Sequence, residues 1–235
     1  MDKIKLFCFP YAGGSASIFY EWKSYLSPHI EIIAIELKGR GRRIKEDLYD
    51  NVDELIDDIF SIIKKHLHNC NYAFFGHSMG AMIAYELTLR IKREKLHLPV
   101  HLFVSGRGAP HIYKPKNYHL LDDKNFEKEI LKLGGTPPEF FDYPELLEIF
   151  LPLLKNDFKL SDTKNRDDII PIETGLTAFF GNDEDLTLEQ IEEWRNYTSR
   201  IYEKNIYPGG HFFIKKYYKK VIKVINSRLS ETLYK

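Results

Sequence analysis

Residues 71–87 read NYAFFGHSMGAMIAYEL: a serine stands between two glycines, directly after an apolar run and directly before residues at helical spacing. Gly76, Ser78 and Gly80 thereby match the G-x-S-x-G nucleophile elbow, a sharp strand-to-helix turn that forces its serine into a strained backbone conformation. Only glycine-sized neighbours two residues to either side leave room for such a turn. Ser78 would hold its hydroxyl above a sheet, while the Met79 amide at the helix N-terminus would face a developing oxyanion. A helix N-cap serine flanked by tight-turn glycines has the same local pattern. The rest of the chain therefore has to supply the elbow's context and its chemical partners.

The context is an alternation of short apolar runs with longer amphipathic stretches. Residues 4–9, 30–37, 72–76, 100–106, 175–181 and 204–210 read as strands, most of them continuous apolar runs of the kind buried parallel strands show. Residues 52–67 carry apolar side chains at helical spacing, with acids early and lysines late as the helix dipole prefers. Residues 79–94, 187–202 and 217–229 read as further helices. This pattern predicts an α/β domain, a mostly parallel central sheet with helices on both faces. Residues from 110 to about 165 break the alternation, with helical patterns and prolines but no strand. They read as a helical lid insertion over the carboxyl edge of the sheet, where open α/β sheets bind ligands. The polar stretch 159–168 is the nearest thing to a linker.

With 235 residues, the chain has the length of one domain spanning 1–235. Lys plus Arg and Asp plus Glu both number 34, so the net charge is zero and nothing suggests a nucleic-acid partner. Cys8 and Cys70 lack metal-ligand spacing and read as free thiols, which fits a reducing cytoplasm. No apolar segment approaches the roughly 20 residues of a membrane span, and no membrane association is expected.

A serine hydroxyl needs a base, and the base needs a group to orient it. With this elbow the partners follow in the order serine, acid, histidine. The histidine is read as His211, in the glycine-rich YPGGHFF turn between the last strand and the last helix. His77 adjoins the serine but would point away from it, and the remaining histidines lie before or far from the expected position. The acid should follow the preceding strand, where GNDEDLT offers Asp183, Glu184 and Asp185. Spacing back from His211 and the step to an apolar residue favour Asp185, counting back from Trp194 favours Asp183, and Glu184 is the least favoured. A second oxyanion amide should come from the loop FPYAGGSAS, residues 9–17, from Tyr11 ahead of Ala12. That loop has neither the G-x-G-x-x-G nor the lysine-containing P-loop pattern, so nucleotide binding is not expected.

Taken together, FPYAGGSAS, LKGRGRR (37–43), FFGHSMGAMIAYEL, LGGTPPEFFDYPELLEIFLPLLKNDF (133–158) and YPGGHFFI (207–214) resemble the type II thioesterases of the α/β-hydrolase fold. These are the stand-alone partners of nonribosomal peptide and polyketide synthases, related to the medium-chain thioesterase of fatty-acid synthesis. The resemblance covers essentially the whole chain. It implies Ser78 as nucleophile and His211 as general base and then acid; the group orienting His211 is taken, on spacing, as Asp185 ahead of Asp183. It also implies an oxyanion hole from the Met79 amide and the first-strand loop, with no cofactor or metal. The implied substrate is an acyl group on the phosphopantetheine arm of an acyl or peptidyl carrier protein, and the implied role is editing of stalled carriers; a monomer is the default expectation. Lys38–Lys45 could receive the carrier, and Phe140, Phe141, Leu146, Phe150 and Leu154 could line an acyl channel. Two departures stand out: Lys38 where the family often has proline, and Lys155-Asn156-Asp157 where it often has arginine before Asp-Phe.

Overall fold

The apolar runs become six strands: β1 (Ile4–Phe9), β2 (Ile30–Ala34), β3 (Tyr72–His77), β4 (His101–Ser105), β5 (Gly175–Gly181) and β6 (Tyr202–Tyr207). The structure is a computed structural model that describes residues 3–67, 70–112, 114–136, 138–163 and 168–232. His68, four residues of the polar stretch 159–168, and residues 113, 137, 164 and 165 of the insertion lie outside it. The strands form one sheet in the order β2-β1-β3-β4-β5-β6, with every neighbouring pair parallel. Chain order and strand order cross at β1, so the loops after β1 and β3 open side by side at the carboxyl edge.

Six α-helices cover the sheet and its carboxyl edge: α1 (Val52–Lys64), α2 (Met79–Arg93), α3 (Asp123–Leu133), α4 (Pro144–Ser161), α5 (Leu188–Glu192) and α6 (Phe213–Glu231). Helix α1 starts where Asn51 accepts a hydrogen bond from the Glu54 amide, and it buries Val52, Leu55, Ile56, Ile59, Phe60 and Ile63 along one stripe. Such a cap contributes about 1 kcal/mol; burial of the apolar stripe contributes the larger share. Alternation along the strands sends Phe7, Phe9 and Phe74 to the face covered by α1 and α2. Leu6, Cys8, Phe75, Phe103 and Phe179 go to the face covered by α6 and a 3-10 helix, Ala16–Ser24. Strands β3, β4 and β5 are buried at every position, which explains their uninterrupted apolar sequence. Cys8 and Cys70 are free thiols. No helix among the described residues is long and apolar enough to cross a membrane.

Between β4 and β5 the described residues form no strand; α3 and α4 are the insertion, and Phe126, Ile130 and Leu154 form its own small core. The last third of the chain departs from the expected boundaries. The stretch read as a helix over 187–202 is α helix only to Glu192, continues as 3-10 to Tyr197, and enters β6 at Tyr202. Tertiary pairing overrides local spacing there: Ile172 donates to the Tyr197 carbonyl, and Leu176 pairs with Tyr202.

His101 lies in the sheet beneath α6, where its Nε2 shares a 2.8 Å hydrogen bond with Thr177. Burial, with a smaller push from Arg228, lowers its pKa to about 3. A folded-state pKa below the unfolded value of about 6.5 means that stability is full above that pH and is lost as pH falls towards 3. The acid limb should therefore fall about 1.4 kcal/mol per pH unit less steeply in His101→Gln than in wild type. Urea midpoints between pH 7 and pH 4 measure this; parallel limbs would show that His101 is not the buried proton acceptor.

Candidate active site

Ser78 adopts φ 55° and ψ −115°, a conformation that side-chain-bearing residues rarely take. The glycines beside it are required by contact. A Cβ on Gly76 would sit 1.9 Å from the Gly80 carbonyl oxygen, and one on Gly80 would sit 2.2 Å from that of Phe9. The elbow therefore rests directly on the end of β1. The Ser78 amide donates to the Ser105 carbonyl at 2.7 Å, which ties the elbow to the end of β4 as well. Met79 is the first residue of α2, so its amide has no acceptor within the helix.

His211 sits in the turn between β6 and α6. Its ring packs on Gly106, where an added Cβ would approach the His211 ring at 3.3 Å and the His77 ring at 2.6 Å. Ser78 and His211 are thus brought together by consecutive backbone positions, Ser105 and Gly106. His77 is fully buried, shares a 2.9 Å hydrogen bond with Ser105 through Nδ1, and lies 5.0 Å ring to ring from His211. Burial holds its pKa well below the ordinary value, and the neighbouring His211 pushes it the same way. A neutral imidazole therefore backs the second histidine, the packing role expected of His77.

The carboxylate at His211 is Glu184. His211 Nδ1 and Glu184 Oε2 are 3.0 Å apart, while Glu184 Oε1 accepts the Gly181 amide at 2.8 Å. Only 6% of the Glu184 side chain is exposed. Asp185, the residue favoured by spacing, points the other way, 98% exposed and 3.5 Å from Lys116. Asp183 is also exposed, and its amide donates to the Gly209 carbonyl at 3.0 Å. The physical reason is the tight turn at 181–184, closed by the Glu184 amide on the Gly181 carbonyl at 3.3 Å. That turn folds side chain 184 back over the sheet edge and throws 183 and 185 outward. No local sequence signal singles out Glu184 among the three consecutive carboxylates.

A carboxylate accepts only, so Nδ1 carries the proton and Nε2 keeps a free lone pair. This is the tautomer a general base needs.

The loop after β1 sits over the elbow. The Gly14 amide closes a turn on the Tyr11 carbonyl at 2.8 Å, and the Tyr11 ring packs on His77 and Phe212. Ala12 bridges the sheet core and the insertion's small core. Among the residues expected to line an acyl channel, Phe150 and Leu154 lie against Gly13, Phe140 meets Phe150 edge to face with ring centroids 4.6 Å apart, and Leu146 is exposed.

The family model described as a thioesterase domain matches residues 4–229. The chain belongs to that family. The gramicidin S biosynthesis protein GrsT of Aneurinibacillus migulanus is 42% identical over 90% of this chain and 83% of its own length. The medium-chain S-acyl fatty acid synthase thioesterase of Rattus norvegicus is 32% identical over 90% and 82%. Among solved structures, ClbQ from the colibactin NRPS/PKS pathway superposes with a TM-score of 0.91 at 33% identity, covering 98% of both chains. The thioesterase is thus a hydrolase of thioester bonds on an α/β-hydrolase fold, as its motifs implied.

If Glu184 orients the base, Glu184→Gln should lower kcat for an acyl thioester by about 10²–10⁴, whereas Asp185→Asn should stay within about twofold because its carboxylate is in solvent. Steady-state hydrolysis by the two variants decides; the opposite ordering would return the role to Asp185.

Proposed function

We propose that this thioesterase clears acyl groups from the phosphopantetheine arms of acyl or peptidyl carrier domains in nonribosomal peptide or polyketide synthesis, through Ser78, His211 and Glu184. The observation that carries the reading is the shared seat of Ser78 and His211 at Ser105–Gly106, with a buried carboxylate on the far side of the imidazole. His211 Nε2 takes the Ser78 proton as Oγ bonds to the thioester carbon. The carbonyl oxygen becomes an oxyanion facing the Met79 amide and an amide of the Tyr11–Ala12 segment. Collapse breaks the C–S bond as the proton on Nε2 passes to sulfur, so that a thiol leaves and Nε2 is free again. Water, deprotonated by the same nitrogen, then attacks the acyl-serine, and collapse breaks the C–O bond to Ser78, whose Oγ takes the proton back from Nε2 as the acid is released. Glu184 keeps the imidazole in one tautomer and stabilises its charged form. Every proton moves through side chains, so the proposal includes no metal or cofactor.

A carrier-borne substrate is supported by the charge on α6, the helix that begins beside His211. Lys215, Lys216, Lys219, Lys220 and Lys223 are all exposed and fall on one side of it. Lysines four apart repel by about 0.2–0.5 kcal/mol each, and the first turn has no acidic residue to suit the dipole. Lys216 and Lys220 lie over Tyr217 and Lys219 over Tyr25, rather than against carboxylates. An acidic partner would relieve this. Lys216 and Tyr217 also line a cleft of about 350 Å³ that reaches His211. The basic segment Lys38–Lys45, first read as the receiving surface, is instead largely engaged internally: Lys38 pairs with Glu54, Arg40 with Asp157, and Arg43 with Glu46 and Asp58. We place the reaction in the cytoplasm, where Cys8 and Cys70 stay reduced.

Wild type should strip acetyl and longer acyl groups from a phosphopantetheinylated carrier, and Ser78→Ala should lose at least about 10³-fold in rate. Intact acyl-carriers alongside rapid cleavage of simple esters would overturn the assigned biology. A strong preference for medium chains would align the enzyme with its fatty acid synthase relatives instead. Separately, Lys219→Glu/Lys220→Glu/Lys223→Glu should raise KM for the carrier-bound substrate by about fivefold or more. Turnover of a small N-acetylcysteamine thioester should not change; equal KM values would remove α6 from the docking surface.

A further inference from the structure

Helix α4 lays Phe150, Leu154 and Asp157, spaced to share one face, onto the turn after β1. A Cβ on Gly13 would meet Leu154 Cδ1 at 2.6 Å and Phe150 Cζ at 3.1 Å. The Gly13 amide donates to Asp157 Oδ2 at 2.7 Å. Arg40 grips the same carboxylate with both terminal nitrogens, at 2.6 and 2.7 Å, and donates to the Gly14 carbonyl at 3.1 Å. The two side chains are 6% and 1% exposed. Turn 11–14 is closed by Gly14 on Tyr11, with Gly13 at φ +75° and Ala12 outside the positive-φ set, which makes it type II. Types I and II differ by a flip of the central peptide, here Ala12–Gly13. The Asp157 carboxylate, by accepting the Gly13 N–H, selects between them.

A buried ion pair is often replaceable by apolar residues without loss of stability, so fold stability alone does not account for this one. Its bidentate geometry fixes position and orientation. The turn it fixes lies between α4 on one side and the elbow on the other, where Gly80 rests on the Phe9 and Pro10 carbonyls. We propose that Asp157, held by Arg40, is a positioning residue that pins turn 11–14 through the Gly13 N–H and thereby holds the Tyr11 and Ala12 amides just ahead of it in place, so that the oxyanion hole is complete only while α4 is seated on the turn. The inference rests on Ser78 being the acylated serine. It makes seating of the inserted helices part of the chemical step as well as of substrate enclosure.

The test is the double variant Arg40→Met/Asp157→Leu, which removes both buried charges and leaves the Gly13 amide without its acceptor. Folding is checked by circular dichroism and thermal midpoint. Two rates are then read: hydrolysis of a small acyl thioester, and phosphonylation of Ser78 by a fluorophosphonate. In the latter, Oγ bonds to phosphorus, fluoride leaves, the serine proton passes to His211, and the phosphoryl oxygen occupies the oxyanion hole. The expected result is a folded protein with kcat and phosphonylation rate both lowered by about 10- to 100-fold, somewhat less than removal of an oxyanion donor, and KM changed by less than about twofold. A folded double variant with wild-type rates, or with a raised KM and unchanged kcat, overturns the proposal. If the double variant does not fold, Asp157→Ala, which likewise removes the acceptor of the Gly13 amide, is read by the same criterion: a lower kcat at constant KM supports the proposal, and an unchanged kcat overturns it. Wild type that is not labelled at Ser78 overturns this proposal together with the catalytic reading; labelled wild type with an unaffected variant overturns this one alone.

Discussion

Everything in the site depends on one strained residue. Ser78 at φ 55° costs roughly 1–3 kcal/mol, and the conformation persists because its surroundings over-determine it. Gly80 is pressed on the end of β1, Gly76 on Gly80, and the Ser78 amide on the end of β4. Any larger residue at 76 or 80 would have to push α2 away from the sheet. The contacts that enforce the strain also bring together the parts the chemistry uses. The end of β1 leads into the loop proposed to complete the oxyanion hole, and the end of β4 leads into Gly106, on which His211 packs.

That dependence explains which parts of the site were legible in sequence. Gly76, Ser78, Gly80 and the glycines before His211 are constrained by backbone geometry, and backbone geometry leaves a residue-type signature. The acid is constrained differently. Asp183, Glu184 and Asp185 are three consecutive carboxylates in one turn, and the choice depends on how that turn is rotated. Hydrogen bonds decide the rotation, from Asp183 to Gly209 and from Gly209 to Asn182, across the gap between the β5 and β6 loops. No local pattern encodes them. The same holds for β6, whose start at Tyr202 is dictated by pairing with β5 and not by the helical spacing that runs through 187–202.

Charge shows the same division between local and distant causes. The segment Lys38–Lys45 is as basic as the start of α6, and a zero net charge says nothing about either. Their difference lies in where the acids are. Glu54, Asp58 and Asp157, 15 to 117 residues away in the chain, fold onto the first segment and neutralise much of it. Among the described residues no ion pair joins Lys216, Lys219, Lys220 or Lys223 of α6 to a carboxylate, while the helix's other side is occupied by Val221, Ile222, Ile225 and Leu229 in the sheet core. A basic surface is thus one that the fold leaves unanswered, and finding it requires the tertiary structure.

The inserted helices hold to the body by modest means. Among the described residues their own core has three buried members, Phe126, Ile130 and Leu154, against the far larger clusters beneath α1, α2 and α6. Segments with few buried apolar contacts open at lower free energy than the global transition. Beyond that small cluster α4 is anchored by Leu160, which joins the core beneath α1 and α2, and by polar, directional contacts: Asp157 on Arg40 and Gly13, and Ser161 on Arg107. Polar anchors of this kind hold one geometry tightly and release it cooperatively, because a half-broken buried ion pair leaves an uncompensated charge. Opening of the insertion and loss of the Gly13 hydrogen bond are therefore one event, since Asp157 cannot leave with α4 and still hold the turn. A site that hydrolyses an acyl thioester beneath these helices gains from this linkage, because displacing α4 would also unset the turn that Asp157 holds.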